Sequence, residues 1–407
     1  MPTARPTASP ARSSYDVVIV GGAIMGSAAA WFLADNPDFD GSVLVVEMDP
    51  SYASCSTAHT NSCIRQQFST DLNIRISQFT AAFIKDLPAR MGDDPRVPRL
   101  PIRSFGYMYL ADNDNFAATL RRNRQVQQAA GVPTELLTPD EIAARYPFYN
   151  LDDILLGSIN LKDEGYWDGA ALFDCFRRQA RERGVEYVTA EVVGMGLGPD
   201  RDRVLYLTLD SGETIACGHV VNATGPRAAR TARMAGIDIP VEPRKRYTWV
   251  FRAEKPLDRD LPLTIDPTGI HVREHGGGTY MCGGHGAGDR GVEFDDFAMD
   301  HGLWEAHVWP ILAHRIPAFA AIRVQSEWAG HYAMNLLDRN AIVGPHEEVS
   351  NFIFMNGFSG HGLQQAPAMG RGVAEWVTYR SYRSLDLTPF GYARVIRGPG
   401  PVESAVI

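Results

Sequence analysis

The chain has 407 residues, of which 45% are apolar and 21% charged, as in a globular protein with two domains or one large composite fold. Its net charge of −9 disfavours nucleic acid or an anionic membrane as a partner, because both need a basic surface. No apolar run approaches the ~20 residues that a membrane-spanning helix needs.

The first 14 residues, MPTARPTASPARSS, are rich in proline, serine, threonine and alanine and lack the apolar stretch of a secretory signal. We expect a disordered tail over residues 1–14, with a short organelle signal as the alternative. The five cysteines are odd in number and form no C-x-x-C pair, which disfavours a disulfide framework or a metal site. We therefore expect a reducing compartment and a cytoplasmic protein.

A strand, a tight turn and a helix follow the tail. Tyr15–Val20 (YDVVIV) predicts a buried strand, and GGAIMG at residues 21–26 leads into a helix of small residues. The free N–H groups at the start of such a helix bind anions, so the segment predicts a dinucleotide site. Gly21 permits the turn and Gly26 lets the helix pack on the strand, although Ala23 replaces the usual middle glycine.

A second short apolar strand, Val43–Glu47, completes a βαβ unit. Glu47 comes 21 residues after Gly26, where an acid hydrogen-bonds the ribose hydroxyls of a bound dinucleotide. Because a carboxylate repels a 2′-phosphate, Glu47 also disfavours NADP.

The middle of the chain shows clear helix starts and a run of strands. Thr138 and Glu141 predict a capping box, and Asp168 predicts the start of a helix that ends before Gly184. The predicted strands that follow are Val185–Val188, Val192–Leu197, Val204–Leu209, Glu213–Cys217 and Val220–Ala223, with a hairpin turn at residues 210–212. They form a small β-meander that leads back to a buried strand.

Regions 85–165 and 235–335 contain aromatic-rich alternating runs spaced by proline and glycine, which predict a largely antiparallel sheet with helices. Near the end of the chain, strand Asn351–Met355 runs into the glycine-rich segment NGFSGHGLQQ at residues 356–365. This second strand-to-helix turn brings more backbone N–H groups toward a ligand. A dinucleotide held from both ends of a chain indicates FAD rather than NAD.

Four segments carry a family resemblance: VVIVGGAIMGSAAAWFL (17–33), SCSTAHTNSCIRQQF (54–68), VVNATGPRA (220–228) and NGFSGHGLQQAPAMGRGVAE (356–375). In these the chain resembles the D-amino-acid oxidase superfamily of flavoproteins, in its glycine/sarcosine oxidase branch. Residues 63–68 and 357–369 also resemble the FAD-dependent oxidoreductase domain-containing protein 1 group, which includes a mitochondrial complex I assembly factor.

The resemblance implies an α/β fold with a Rossmann-like FAD-binding domain of the glutathione-reductase type and a mostly antiparallel α+β substrate domain. The FAD-binding domain is expected to be discontinuous, over 15–84, 166–234 and 336–395. The substrate domain is expected over 85–165 and 235–335.

The resemblance also implies which residues contact FAD. They are Gly21, Gly22, Ile24, Met25, Gly26 and Glu47 for the ADP half, Val193 for adenine, Ala223, Thr224 and Gly225 for the diphosphate, and Gly360, His361, Gly362, Leu363 and Gln364 for the flavin loop. A helix N-terminus in that loop would stabilise the negative charge that flavin reduction places near N1 and C2=O. We expect non-covalent FAD. The alternative is a covalent bond through His59, because Ser56, Thr57 and His59 resemble the S-T-x-H of dimethylglycine dehydrogenases.

On the substrate side, Arg65 matches the arginine that pairs with the substrate carboxylate in this family. A guanidinium grips a carboxylate through two parallel hydrogen bonds and thereby fixes the α-carbon. Tyr332 and His285 match an active-site tyrosine and histidine, which position the substrate or take its ammonium proton.

Three positions depart from the pattern of sarcosine oxidases. Gln364 stands where a lysine helps to bind the carboxylate. Met281 corresponds to a lysine that promotes reaction with oxygen, which favours a dehydrogenase. Gly330 replaces the cysteine that holds the flavin covalently, which excludes that linkage.

We therefore expect FAD-dependent oxidation of the C–N bond of a small amino acid, such as a secondary or N-substituted one. Hydride would pass from the α-carbon to flavin N5, and water would hydrolyse the resulting imine. The expected partners are this carboxylate-bearing amine and an acceptor, either O2 or an electron-carrier protein or quinone, and the oligomeric state stays open. The alternatives are a 2-hydroxy-acid dehydrogenase, with His285 or His361 as its base, and a non-catalytic assembly factor that retains FAD.

Overall fold

The computed structural model describes residues 9–286, 288–398, 400 and 402–404. The strands in chain order are β1 Ser14–Val20, β2 Val43–Glu47, β3 Cys63–Ile64, β4 Tyr107–Ala111, β5 Glu135–Leu137, β6 Leu156–Asn160, β7 Gly165–Tyr166, β8 Glu186–Thr189, β9 Val192–Leu197, β10 Val204–Leu209, β11 Thr214–Asn222, β12 Val241–Ala253, β13 Leu263–Ile265, β14 His271–Gly276, β15 Thr279–Gly284, β16 Ile322–Asn335, β17 Ile342–Pro345 and β18 Phe352–Asn356. The α-helices are α1 Ile24–Asp35, α2 Asp71–Lys85, α3 Leu87–Arg90, α4 Asp114–Ala129, α5 Pro139–Arg145, α6 Gly169–Glu182, α7 Ala228–Met234, α8 Trp309–Arg315, α9 Gly362–Tyr379 and α10 Ala393–Arg397. In this part of the chain, no helix combines the length and apolar character needed to cross a membrane.

The first large sheet has a mainly parallel centre with the order β17-β18-β11-β1-β2-β8. β1 pairs in parallel with β2 and with β11, and β11 pairs in parallel with β18. Both faces are buried, because Val17 and Ile19 pack in one apolar cluster and Val18 and Val20 in another. This two-sided burial explains why the first strand is a continuous apolar run in the sequence.

Small residues bring the helices close to one another above this sheet. Ala28 on α1 is completely buried. A Cβ added at Gly370 on α9 would lie only 2.7 Å from the backbone carbonyl carbon of Ala28. Helices α1 and α9 therefore pack closely through their backbones, and a larger side chain at Gly370 would separate them.

The predicted helix starts are confirmed, and one pair of strand predictions is corrected. Thr138 and Glu141 form the capping box, and the Asp168 carboxylate accepts a hydrogen bond from the N–H of Ala171 at 3.0 Å. The strands predicted at residues 213–217 and 220–223 are one strand, β11. Its first residues pair with β10 and its remaining residues pair with β1, so it leads from the meander directly into the parallel sheet.

The second large sheet has the order β16-β12-β15-β14-β13-β4-β6-β5 and is antiparallel except for the pair β13 and β4. Its two longest strands, β12 and β16, pair along nearly their whole length. Trp249 and Phe251, from the predicted aromatic run, are completely buried in the core on one face of this sheet. The predicted α/β fold with a mostly antiparallel second sheet is confirmed.

The predicted tail divides into two parts. Residues 1–8 lie outside the described residues. The Ser9 hydroxyl donates to Glu213, the N–H of Ala11 donates to Glu186 at 2.7 Å, and β1 begins at Ser14. The hydrogen-bonded chain therefore begins earlier than predicted. Apart from Ser14, the strands of the first large sheet lie in the segments predicted for the FAD-binding domain. The strands of the second large sheet lie in the segments predicted for the substrate domain. The division into two domains stays a prediction.

Candidate active site

A deep cavity lies where the carboxyl ends of β1, β2 and β11 meet strands β12 and β16 of the second sheet. Most of the predicted site residues line it: Gly21, Ile24, Met25, Glu47, Ser56, Thr57, His59, Arg65, Ala223, Thr224, Gly225, Tyr332, Gly360, His361, Gly362, Leu363 and Gln364. Four predicted residues, all within the described part of the chain, are not in its lining: Gly22, Gly26, Val193 and His285.

The first glycine turn forms one wall of the cavity. Gly21 has a φ of +96°, and a Cβ there would lie 2.6 Å from the carbonyl oxygen of Ala223. A Cβ at Gly26 would lie 1.9 Å from the carbonyl oxygen of Gly21, so both positions require glycine. Helix α1 has no side-chain cap and no acidic residue in its first turn. The N–H of Ile24 donates a long hydrogen bond of 3.4 Å to the Thr57 hydroxyl. Ile24 and Met25 line the cavity, so the partial positive charge at the start of α1 faces an anion there.

Glu47 closes the same turn. Its Oε2 accepts a hydrogen bond from the N–H of Gly22 at 2.7 Å, and its Oε1 accepts one from the N–H of Asp49 at 2.7 Å. Burial raises the pKa of Glu47, and these two N–H groups oppose that shift. Since a carboxylate has about four acceptor positions, Glu47 can also accept from ribose hydroxyls. Gly22 therefore shapes the site through Glu47 rather than by lining the cavity.

At the predicted adenine end, the structure places Val192 in the cavity lining and leaves Val193 outside it. Val193 is 46% exposed, whereas the neighbouring Val192 lines the cavity. Successive side chains of a strand point to opposite faces, so a shift of one residue exchanges the buried and exposed positions.

Two arginines that the sequence analysis missed line the cavity near this end. Arg230 forms a 2.9 Å ion pair with Glu191, and the guanidinium carbon of Arg227 lies 4.0 Å above the ring of Phe294. Arg227 and Arg230 are three residues apart and follow shortly after the Ala223–Gly225 segment. Residues with this spacing lie on the same side of a helix, so the sequence contained a signal that both face the cofactor site.

The flavin-loop segment forms the opposite end of the cavity. Gly360 has a φ of +90°, and a Cβ there would lie 2.4 Å from a ring carbon of Tyr332. The tyrosine ring therefore packs directly against the loop. Helix α9 begins at Gly362, again without a side-chain cap or an acidic residue in its first turn. The cavity thus has an open helix N-terminus at each of two places.

Arg65 is 2% exposed and lies beside this loop. Its Nη1 donates to the carbonyl oxygen of Gln67 at 2.5 Å, and its Nη2 donates to Nε2 of His361 at 2.7 Å. Burial, and then the charge of Arg65, hold the pKa of His361 well below its ordinary value, so the imidazole is neutral and accepts. The Gln364 side-chain oxygen accepts the N–H of Arg65 at 2.9 Å. Gln364, which replaces the lysine of the relatives, therefore holds the arginine's backbone.

The predicted histidine is not in the site, and another histidine is. His285 follows the end of β15, and its Nδ1 lies 2.9 Å from the carbonyl oxygen of Gly286. His271 on β14 lines the cavity, 5% exposed, with Nε2 2.6 Å from Nδ2 of Asn61. Burial, followed by the charges of Arg246 and Arg273, lowers the pKa of His271 to about 4. The histidine at the site is therefore neutral near pH 7.

His59 lies against the position of the missing cysteine. A Cβ at Gly330 would lie 2.6 Å from the Cβ of His59. The Nδ1 of His59 is 3.0 Å from the carbonyl oxygen of Cys55, to which it donates a hydrogen bond. This geometry leaves both the covalent and the non-covalent alternative open. Met281 is buried with its sulfur 3.4 Å from Nη2 of Arg273 and does not line the cavity, so it gives no information about reaction with oxygen.

These features fit FAD, because two open helix N-termini and a ribose-binding acid line one cavity. The fold and the cavity define a flavin-dependent oxidoreductase. The model of the DAO family, described as "FAD dependent oxidoreductase", matches residues 16–376, and the chain belongs to this family, whose cofactor is FAD.

Several relatives are similar over nearly the whole chain. FAD-dependent oxidoreductase domain-containing protein 1 from Xenopus laevis is 35% identical over 411 residues, which cover 93% of this chain and 82% of that protein. The crystal structure of L-proline dehydrogenase from P. horikoshii is 28% identical, with a TM-score of 0.81 and coverage of 96% of this chain and 99% of that one. Glycine oxidase from Geobacillus kaustophilus shares the fold at 22% identity, with a TM-score of 0.77 and coverage of 93% and 98%.

Proposed function

We propose that this enzyme oxidises the C–N bond of a small amino acid, preferably a secondary or N-substituted one, to an imine that water hydrolyses to a carbonyl compound and an amine. The observation that carries the proposal is Arg65, a buried cation that lines the cavity directly beside the flavin loop. The amine-oxidising enzymes named among the relatives, such as L-proline dehydrogenase and glycine oxidase, support this reaction class.

When bound, FAD supplies the two-electron chemistry of the reaction. The residues fitted to hold it are the first glycine turn, Glu47, the segment Ala223–Gly225 and the loop Gly360–Gln364. The start of α9 contributes partial positive charge where negative charge develops on reduction.

We define the substrate end of the cavity as the part lined by Cys63, Arg65, Tyr107, Arg246, His271 and Tyr332. Here the Arg65 guanidinium holds the substrate carboxylate, and the ring of Tyr332 limits the space beside Gly360. Nearby guanidinium groups disfavour a second positive charge, so they lower the pKa of a bound ammonium and favour the neutral amine that is oxidised. Nε2 of the neutral His271 already accepts from Nδ2 of Asn61, so this histidine is not a free base.

The hydroxy-acid alternative needs a histidine base. Of the two histidines predicted for it, His285 does not line the cavity, and Nε2 of His361 already accepts from Arg65. This favours the amine over the hydroxy acid.

An anaerobic absorbance titration of the FAD-loaded protein tests the proposal. The panel pairs N-methyl and imino acids with the 2-hydroxy acids of the same carbon skeleton, and air is admitted afterwards. We expect an amino acid to bleach the flavin band. Rapid recolouring in air identifies an oxidase, and slow recolouring identifies a dehydrogenase that uses a carrier protein or quinone. Bleaching by hydroxy acids alone contradicts the proposal, and no bleaching with any member favours the non-catalytic alternative.

A further inference from the structure

Three buried arginines surround the substrate end of the cavity. Arg65 and Arg246 line it and are 2% and 7% exposed. Arg273, 2% exposed, lies behind the wall and donates through Nη2 to the carbonyl oxygen of Asn61 at 3.0 Å. Asn61 itself lines the cavity. Arg246 on β12, Arg273 on β14 and Arg65 just after β3 thus approach this end of the cavity from different parts of the chain.

Among the described residues, one acid pairs with Arg246 and none pairs with Arg273. Asp289 pairs with Arg246 at 2.6 Å and 3.2 Å. Arg273 donates only to the carbonyl oxygens of Glu274 and Asn61 and to the sulfur of Met281, with no acidic partner within 4.0 Å among the described residues.

Glu164 is an acid whose charge acts on Arg65, but burial raises its pKa to about 7, so it is only partly ionised near neutrality. Buried charge without a counter-charge is costly. Arg273 is such a charge, so the substrate end is suited to a further negative charge besides the carboxylate proposed for Arg65.

Arg246 is placed to contact a ligand. Its guanidinium carbon lies 4.6 Å from the centre of the Tyr332 ring, and its buried Nε has no hydrogen-bond partner in the part of the chain that the structure describes. Burial raises the pKa of Tyr332, and the charges of Arg246 and then Arg65 oppose that shift. The charges of both arginines therefore act on the Tyr332 hydroxyl.

We propose that the substrate carries a second carboxylate, which Arg246 and Tyr332 bind while Arg65 holds the first. The substrate class is a secondary amine with two carboxylates, the second on the N-substituent or on the side chain. With a neutral amine, such a molecule carries two negative charges to match the excess of guanidinium groups. This inference rests on the proposed amine oxidation.

The first experiment compares matched substrates on the FAD-loaded protein under anaerobic conditions. Sarcosine is paired with iminodiacetate, and N-methylalanine with N-methylaspartate, so that each pair differs by one carboxylate. We expect the dicarboxylate of at least one pair to bleach the flavin with a kred/Kd about tenfold or more above its partner. Equal or lower values for both dicarboxylates overturn the inference.

The variant Arg246→Gln identifies the residue responsible, and Arg246→Lys tests rescue by charge alone. We expect Arg246→Gln to lower kred/Kd for the dicarboxylate about tenfold more than for its monocarboxylate partner, and Arg246→Lys to recover part of that difference. An equal loss for both substrates, in a variant that retains FAD and the melting temperature of the wild type, overturns the assignment to Arg246. If the variant does not fold, the wild-type comparison of the matched substrates decides the inference.

Binding without turnover separates this inference from the proposed function. Diglycolate and methoxyacetate are the ether analogues of iminodiacetate and sarcosine, and their thermal stabilisation of the FAD-loaded protein is measured. A larger rise in melting temperature with diglycolate than with methoxyacetate, lost in Arg246→Gln, supports the two-carboxylate site. If this is seen while no amine bleaches the flavin, the proposed function fails and the two-carboxylate site stands. Bleaching by sarcosine with no preference for either dicarboxylic ligand contradicts the inference and leaves the proposed function standing.

Discussion

Nη2 of Arg65 lies 2.7 Å from Nε2 of His361, to which it donates a hydrogen bond. This bond joins the arginine proposed to hold the substrate carboxylate to the glycine-rich loop at the flavin end of the cavity. Because Gln364 from the same loop accepts the N–H of Arg65, the loop fixes both the backbone and the side chain of the arginine. A change in the loop is therefore expected to alter substrate binding as well as FAD binding.

Replacing His361 by leucine leaves a buried guanidinium N–H without its acceptor, which costs about 1–3 kcal/mol. We expect the Kd of the substrate to rise roughly 5- to 150-fold, measured by anaerobic titration of protein that retains FAD. His346→Leu is the matched control, since His346 is a buried acceptor for two backbone N–H groups outside the cavity. An unchanged Kd in His361→Leu would show that the bond does not position Arg65.

Gly360→Ala tests the contact between the loop and Tyr332. The new Cβ would meet the tyrosine ring at 2.4 Å, on a residue that already has a φ of +90°. Gly212→Ala is the matched control, because Gly212 has a φ of +88° and a Cβ added there would meet nothing within 4 Å. We expect the control to lose only the roughly 1–2 kcal/mol cost of a left-handed alanine. Gly360→Ala should in addition raise the Kd for FAD about tenfold or more, which a titration followed by flavin fluorescence measures. Equal FAD affinity in the two variants would contradict the contact.

Glu47→Gln removes the charge that accepts from Gly22 and, in the FAD complex, from the ribose. Hydrogen bonds to charged groups contribute about 1.5–3 kcal/mol, so we expect the Kd for FAD to rise roughly 10- to 150-fold. Glu254→Gln, at an exposed position outside the cavity lining, serves as the control. The Kd for FAD is measured by reconstituting the apoprotein with FAD. An unchanged Kd in Glu47→Gln would exclude the ribose-binding role of Glu47.

Glu164 predicts a particular pH dependence of stability. Its carboxylate is completely buried and accepts from the N–H groups of Gln66 and Gln67, next to Arg65. Burial raises its pKa from 4.5 to about 7, while these hydrogen bonds oppose the shift. The folded protein therefore holds this proton over a range where the unfolded chain has lost it.

The sign follows from that difference in bound protons. Between pH 4.5 and about 7 the folded state binds more protons, so the contribution of Glu164 to the free energy of unfolding falls as pH rises. Urea denaturation of wild type and Glu164→Gln across this range measures it. We expect the stability of wild type relative to the variant to decline with increasing pH and to level off above the raised pKa. A constant difference would contradict the raised pKa.

The sequence was most informative where backbone geometry restricts the residue. Gly21 and Gly26 are required by close backbone contacts, and Glu47 follows them at a spacing that a βαβ unit fixes. The flavin loop was predictable for the same reason, because only glycine fits at Gly360 beside the Tyr332 ring. The glycine motifs themselves stand in the sequence, whereas the partners that require them, Ala223 for Gly21 and Tyr332 for Gly360, are seen only in the structure.

Positions that depend on register or on distant strand pairing were not predictable. Val192 and Val193 are chemically identical, and only the pairing of β9 with β10 decides which one is buried. His271 enters the site because β14 pairs with β15 and places it opposite Gly283, whereas His285 lies past the end of β15. Neither relationship has a signal in the local sequence.

The most direct measurement is the rate of anaerobic flavin bleaching by an N-methyl or imino acid in wild type, Arg65→Lys and Arg65→Gln, each checked for bound FAD. The account predicts that wild type is bleached and that Arg65→Gln loses about 100-fold or more in kred/Kd, because its carboxylate-binding guanidinium is gone. Arg65→Lys should lie between them, since it keeps the charge but not the paired hydrogen bonds. Equal rates in wild type and Arg65→Gln, with FAD retained in both, would contradict the proposed role of Arg65 and the substrate class built on it.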